Sequence, residues 1–207
     1  MLTAKRLTRP GLNATDLTVD AGQRVAVTGA SGSGKSLLLR AIADLDPNEG
    51  DVTLADTARA AVPAPGWRRR VVYVPAESGW WADRVGDHFP DEDAAAGYLA
   101  RVDLAEDALD WRVERLSTGE RQRLALIRAL SLAPSALLLD EPTSALDREA
   151  TARVESLLHE HLATGAAMLM VTHDEAQARR LAHVAFRMDQ GTLGTEPVWQ
   201  RDAGDGA

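Results

Sequence analysis

The stretch GASGSGKS, Gly29–Ser36, decides how the rest of the chain is read. A glycine-rich turn closing on a lysine and a hydroxyl presents successive backbone N–H groups to phosphate oxygens, aided by the N-terminus of the next helix. In this reading the backbone of Gly29, Ala30, Ser31, Gly32, Ser33 and Gly34 cradles phosphates, and Lys35 reaches the outermost ones. The Ser36 hydroxyl is placed to ligate Mg²⁺. The surroundings agree. RVAVT (Arg24–Thr28) reads as a strand and SLLLRAIADL (Ser36–Leu45) as a helix, so the loop has the strand–turn–helix context that a chance glycine turn lacks.

Outward from the loop, DPNEGDV (Asp46–Val52) reads as a turn and VTLAD as a short strand. PAPG (Pro63–Gly66) reads as a break, and RRRVVYV (Arg68–Val74) as a segment ending in a buried strand. The acidic, alanine-rich region from Ser78 to Arg115 reads as a small helical insertion. ERQRLALIRALSLAP (Glu120–Pro134) predicts a helix, and ALLLD (Ala136–Asp140) a central parallel strand, because its apolar run is continuous rather than alternating. A helix over Asp147–His161, a strand over Ala166–Thr172, a helix near Glu175–Leu181 and a hairpin around Gly191 follow. The terminal RDAGDGA is expected to fray.

Bulk properties narrow the class. A chain of 207 residues holds one full domain with a sizeable core, and without an internal repeat it carries one nucleotide-binding unit. The net charge of -8 argues against a general nucleic-acid binder. With no cysteine there is no disulfide and no thiolate metal site, which suits a reducing compartment. No signal-peptide core and no run of 18 apolar residues are found, so the expectation is a cytoplasmic protein that docks on a membrane partner.

LLLDEP (Leu137–Pro142) supplies carboxylates. Its leucines carry Asp140 to the C-terminal end of a strand beside the nucleotide, where it holds Mg²⁺ through water, and Glu141 faces a hydrolytic water. With LSTGERQ (Leu116–Gln122), SALD (Ser144–Asp147) and THD (Thr172–Asp174), these motifs stand in the order of the ATP-binding cassette ATPases, which the whole chain resembles. The resemblance implies an α/β P-loop NTPase core with a small antiparallel β subdomain and a helical insertion at about residues 78–118. It also implies the subunit that binds and hydrolyses ATP for a separate transmembrane permease, bound peripherally at the inner face of the membrane. Ser117 and Gly119 would contact the γ-phosphate held by the opposite subunit, and Asp147 would lie in the loop between the two sites. Glu141 would be general base or water-orienting group, His173 the switch histidine, and Lys35 the stabiliser of the transferred phosphoryl. Two chains would face each other head to tail over two ATP molecules, a homodimer being the simpler arrangement and a heterodimer remaining open.

The chain departs from the family in three places. Its signature reads Leu-Ser-Thr-Gly-Glu rather than Leu-Ser-Gly-Gly-Gln, so Thr118 adds bulk and Glu120 adds charge, and weakened activity is expected. Where the family has a glutamine that contacts Mg²⁺, VVYVPAES (Val71–Ser78) offers Ala76, with Glu77 as the neighbouring candidate ligand. No aromatic residue is available for adenine in Arg6–Asn13, leaving Arg9, Pro10 or Leu12 to pack on the base. The compact outline resembles small bacterial exporter ATPases. Trp80 and Trp81 fall where the family docks its permease, or else fill the core of the insertion. The alternatives are a soluble non-transport cassette ATPase, such as a cluster-assembly factor, and an ATP-binding regulatory module of low turnover.

Overall fold

The computed structural model describes residues 1–201, so most of the terminal stretch expected to fray lies outside the described residues. At its centre is β3 (Arg24–Thr28), paired in parallel with β8 (Ala167–Thr172) on one side and β9 (Val184–Asp189) on the other. Beyond β8 lie β7 (Ala136–Asp140) and β6 (Val71–Val74), also parallel, giving the order β9-β3-β8-β7-β6. Two short strands, β10 (Thr192–Leu193) and β11 (Trp199–Gln200), pair antiparallel with β9. Both faces of this sheet are covered. In β7, Leu137 and Leu139 enter one core cluster while Ala136 and Leu138 enter the other, which is why the strand reads as an unbroken apolar run.

One face is covered by α1 (Lys35–Ile42) and by a second, antiparallel sheet of β1 (Leu2–Arg9), β2 (Leu12–Val19), β4 (Glu49–Leu54) and β5 (Thr57–Ala58), in the order β2-β1-β4-β5. The β1–β2 hairpin was not apparent as strands in the sequence, and β1 shows the reason. Its pairing slips between Ala4 and Leu7, and Arg6 sits at φ 48, so a bulge breaks the alternation of its buried residues.

Two boundaries differ from expectation. The residues read as a turn at 46–52 already enter β4 at Glu49. PAPG is not a break but the start of α2 (Ala64–Arg70), with Pro63 as N-cap and Pro65 in the first turn, where a missing N–H costs no hydrogen bond. Arg68–Arg70 close this helix, and the segment RRRVVYV then ends in the strand β6, as expected. Trp67 of α2 is fully buried and its indole N–H donates to the Ile42 carbonyl at 3.0 Å, tying α2 to the end of α1.

The opposite face carries α4 (Thr118–Leu130), α5 (Arg148–Leu162) and α6 (Glu175–Leu181). The helix expected to run from Glu120 to Pro134 thus starts earlier and stops sooner. Between β6 and α4 the chain forms one α-helix, α3 (Glu92–Leu99), among several 3₁₀ turns packed on α4 and α5. Arg84 organises this segment, reaching Glu92 at 2.7 Å, Asp110 at 2.8 Å and Asp87 at 3.3 Å. No helix among the described residues is long and apolar enough to cross a membrane.

Candidate functional site

The strands deliver the predicted residues to one end of the parallel sheet. Gly29 leaves β3 at φ 152, and a Cβ there would stand 2.2 Å from the Met188 carbonyl oxygen, so only glycine lets the loop pass β9. Gly34 caps α1 at φ 104 and ψ 2, which lets the loop turn its N–H groups inward before the helix begins. The Lys35 ammonium folds back over the loop and is only 8% exposed, donating to the carbonyls of Gly29 at 2.8 Å and Ala30 at 2.9 Å. An ammonium has three N–H donors, so one is left for a phosphate oxygen.

Asp140 ends β7, buried, and its Oδ2 accepts a hydrogen bond from the Tyr73 hydroxyl at 3.0 Å. Burial, reinforced by the charge of Asp140, holds the Tyr73 phenol well above its ordinary pKa, so it remains a donor. Glu141 follows at φ 48, a left-handed conformation uncommon outside glycine and asparagine. Its N–H donates to Val171 at 3.0 Å, and its carbonyl accepts from the Gln122 side chain at 2.8 Å. The Glu141 carboxylate is held as well. Oε1 accepts from the His173 backbone N–H at 2.9 Å and lies 2.8 Å from His173 Nδ1, while Oε2 accepts from the Thr172 hydroxyl at 3.0 Å.

Together these groups border an open cleft of about 570 Å³. Ser31, Gly32, Gly34, Lys35, Ser36 and Leu37 form one wall, facing Asp140, Glu141 and His173. Ser36 and Asp140 offer hard oxygen donors, and no cluster of three His, Cys, Asp or Glu side chains able to hold a metal exists among the described residues. That donor set fits Mg²⁺, which takes few protein ligands and completes its octahedron with phosphate oxygens and water.

Ala76, not Glu77, lines the cleft. The expected metal ligand Glu77 is thus not part of the cleft's lining: β6 ends at Val74, and Ala76 and Glu77 are both exposed in the turn after Pro75, with Ala76 the one that borders the cleft. For the base, Leu12 is buried in the second core and Arg9 is paired with Asp46, which leaves Pro10 exposed at the β1–β2 turn.

Ser117, Gly119 and Asp147 do not line the cleft. Ser117 caps α4, and Glu120 turns back upon it: its Oε2 accepts from the Ser117 N–H at 2.8 Å and hydroxyl at 2.7 Å, closing a capping box. Burial raises the Glu120 pKa, but the Ser117 bonds and the nearby Arg123 and Arg115 outweigh it, so the carboxyl sits below its usual range. Asp147 caps α5 through a bond from the Ala150 N–H at 2.9 Å.

The sequence profile of the family described as ABC transporter matches residues 12–144. The aliphatic sulfonates import ATP-binding protein SsuB of Escherichia coli strain K12 is 40% identical over 197 residues, covering 89% of this chain and 74% of that protein. The chain belongs to the ABC transporter ATPase family. A second SsuB-type protein, from Paracoccus denitrificans, is 38% identical over 196 residues, covering 88% of this chain and 74% of its own length. Among solved structures, an ATP-binding subunit of an ABC transporter superposes with a TM-score of 0.82 at 25% identity, covering 94% of this chain and 90% of that one. A dimeric cassette in a post-hydrolysis state bound to ADP and Pi shares the fold, with a TM-score of 0.79 at 23% identity over 98% of this chain and 100% of that one. As an ABC ATPase the chain hydrolyses ATP. The exporter reading drawn from its compact outline is not supported, since the relatives at 38–40% identity are import proteins.

Two residues of this ABC cassette escaped the sequence reading. Gln122 is 6% exposed, and its amide also accepts from the Ala145 N–H at 3.0 Å. Its signal was a polar side chain on the apolar face of α4, in helical register with Leu126. Tyr73 was the one polar side chain in the otherwise aliphatic VVYV.

Proposed function

We propose that this ABC ATPase is the ATP-driven subunit of a transporter whose permease is a separate chain, and that two copies associate head to tail around two Mg-ATP. One observation carries the reading. The cleft gathers the phosphate loop, Asp140, Glu141 and His173, whereas Ser117 and Gly119, which the family uses on the γ-phosphate, lie outside its lining. A single chain thus holds half of each site, and a second copy supplies the other half. In this arrangement Lys35 and the loop amides bind the phosphates, Ser36 and Asp140 hold the metal, and bound Mg²⁺ supplies charge neutralisation. Glu141 orients the attacking water, with Thr172 and His173 fixing its carboxylate. Asp147 shapes the loop between the two sites.

The permease-facing surface is supported by Trp81, which is 72% exposed beside an apolar groove of about 280 Å³, whereas Trp80 packs on the core. The tryptophan pair therefore divides between the two roles considered from sequence. Import is the direction favoured by the relatives. Placement at the cytoplasmic face of the membrane follows from the need of a permease-bound motor for cytoplasmic ATP.

ATP turnover of the wild type against Glu141→Gln, with size-exclusion chromatography and light scattering in Mg-ATP, tests the reading. The variant is expected to lose turnover and to accumulate as an ATP-bound dimer. Near-zero rates in both proteins, with no dimer in either, would overturn it.

A further inference from the structure

Asp140 is a buried carboxylate at the end of a strand, and the Tyr73 hydroxyl is the side-chain donor that bonds it among the described residues. A carboxylate free to rotate about its last torsion points its oxygens at the metal only part of the time. A donor fixed on one oxygen removes that freedom and leaves the other oxygen for the metal's water shell. Tyr73 is well placed for this. It stands on β6, paired in register with Leu138 of β7, so the two strands set the separation of phenol and carboxylate. Its ring packs on the core beneath α1. The charge of Arg40 of α1 also acts on the phenol, and that guanidinium is itself locked by Asp46 through bonds of 2.6 and 2.8 Å.

The chain also needs such a device more than its relatives with a glutamine do. Ala76 borders the cleft where the resemblance to the family would place that glutamine, and a methyl group cannot orient anything. Of the cleft's side-chain oxygens, those of Ser36 and Asp140 are the ones assigned to the ion, the Glu141 carboxylate being held by Thr172 and His173. We infer that Tyr73 is a positioning residue of the metal–nucleotide site, holding Oδ2 of Asp140 so that the carboxylate is pre-oriented for Mg²⁺ in the absence of the usual glutamine. The inference rests on the reading of the cleft as a Mg-ATP site.

The test is Tyr73→Phe, which removes one hydroxyl and keeps the ring. Mn²⁺ binding is measured by electron paramagnetic resonance in the presence of a non-hydrolysable ATP analogue, beside the Mg²⁺ dependence of ATP turnover. Loss of a hydrogen bond to a charged group predicts Mn²⁺ affinity weaker by roughly 10-fold. The Mg²⁺ concentration for half-maximal turnover should rise by a similar factor, with kcat at saturating Mg²⁺ within about twofold of wild type and metal-free nucleotide affinity unchanged. Unchanged Mn²⁺ affinity would overturn the inference. So would a fall in kcat that Mg²⁺ does not restore, or equal weakening of metal-free nucleotide binding, either of which marks a merely structural tyrosine. A wild type that binds no Mn²⁺–nucleotide would instead remove the Mg-ATP reading itself, and the inference with it.

Discussion

Replacing Glu120 with Gln should strengthen ATP-dependent association of two copies while slightly weakening the fold. The Glu120 carboxylate occupies the N–H and hydroxyl of Ser117, groups that in the proposed head-to-tail dimer would face the partner's γ-phosphate. An incoming phosphate must therefore displace, or lie against, a fixed negative charge. At about 5 Å and an effective dielectric of about 40, two unit charges repel by about 1.7 kcal/mol. Screening at physiological salt brings this to roughly 1 kcal/mol per site. With two sites per dimer the charge costs about 2 kcal/mol, so its removal should lower the dimer Kd by about 30-fold. Glutamine still accepts from Ser117 through its carbonyl oxygen but without charge, and the cap should weaken by about 0.5 kcal/mol, a loss of about 1–2 °C in Tm.

Analytical ultracentrifugation in Mg-ATP, comparing Glu141→Gln with the Glu120→Gln/Glu141→Gln double variant, reads the first effect free of turnover. The gap should shrink as salt is raised, since screening weakens the repulsion in the reference protein. An equal or weaker Kd in the double variant, with both melting normally, would refute the reasoning. Glu120 would then be a capping residue and nothing more.

Other outcomes follow from the same geometry. Lys35→Ala should cost about 3 kcal/mol of nucleotide binding, roughly 100-fold in Kd by isothermal calorimetry, because the ammonium is fixed at the loop before any phosphate arrives. Trp80→Ala should destabilise the protein by about 2 kcal/mol or more in urea, whereas Trp81→Ala, removing a side chain 72% exposed, should stay within about 0.5 kcal/mol. His183 Nε2 accepts from the Arg24 side chain at 3.0 Å, and burial together with the charge of Arg24 lowers its pKa below 6.5. The folded state thus favours neutral imidazole, so its contribution is present above pH 6.5 and is lost as the pH falls below it. Thermal melts from pH 7.5 to 5.5 should fall less steeply in His183→Gln than in wild type.

What could be read in the sequence was set by how local the physical constraint is. Gly29, Gly34 and Lys35 are forced by one turn, and the unbroken ALLLD run by one strand buried on both faces, so each left its mark within a few residues. Where a constraint came from distant partners the mark was faint. The bulge at Arg6 hid β1, and two prolines that begin α2 looked like a stop. The phase of the turn after β6, which puts Ala76 in the cleft and Glu77 outside, depends on packing that no spacing rule records. Glu120 was read as an added charge near a polyanion, yet its bonds to Ser117 emerge only from the helix cap.

The 13 residues of α4 draw these parts together. At its start stands Ser117, which in the proposed dimer would face a second copy. Near its end the Arg128 guanidinium lies 4.9 Å from the Trp80 ring centre and 5.1 Å from that of Trp81, beside the proposed permease groove. About 16 Å of rigid helix separate the two. Between them Gln122 grips the Glu141 carbonyl at 2.8 Å and the Ala145 N–H at 3.0 Å, so a shift of α4 is passed to a residue already held at φ 48. Gln122→Ala orphans both backbone groups in a buried place, at a cost of about 1–3 kcal/mol, and frees Glu141 to leave its strained conformation. Because Gln122 does not line the cleft, the KM for ATP should change less than about threefold while kcat falls roughly 10- to 100-fold. A KM that rises in step with the loss would place Gln122 in nucleotide binding. An unchanged kcat would mean that Glu141 keeps its geometry without help from α4, and the helix would carry no signal through this residue.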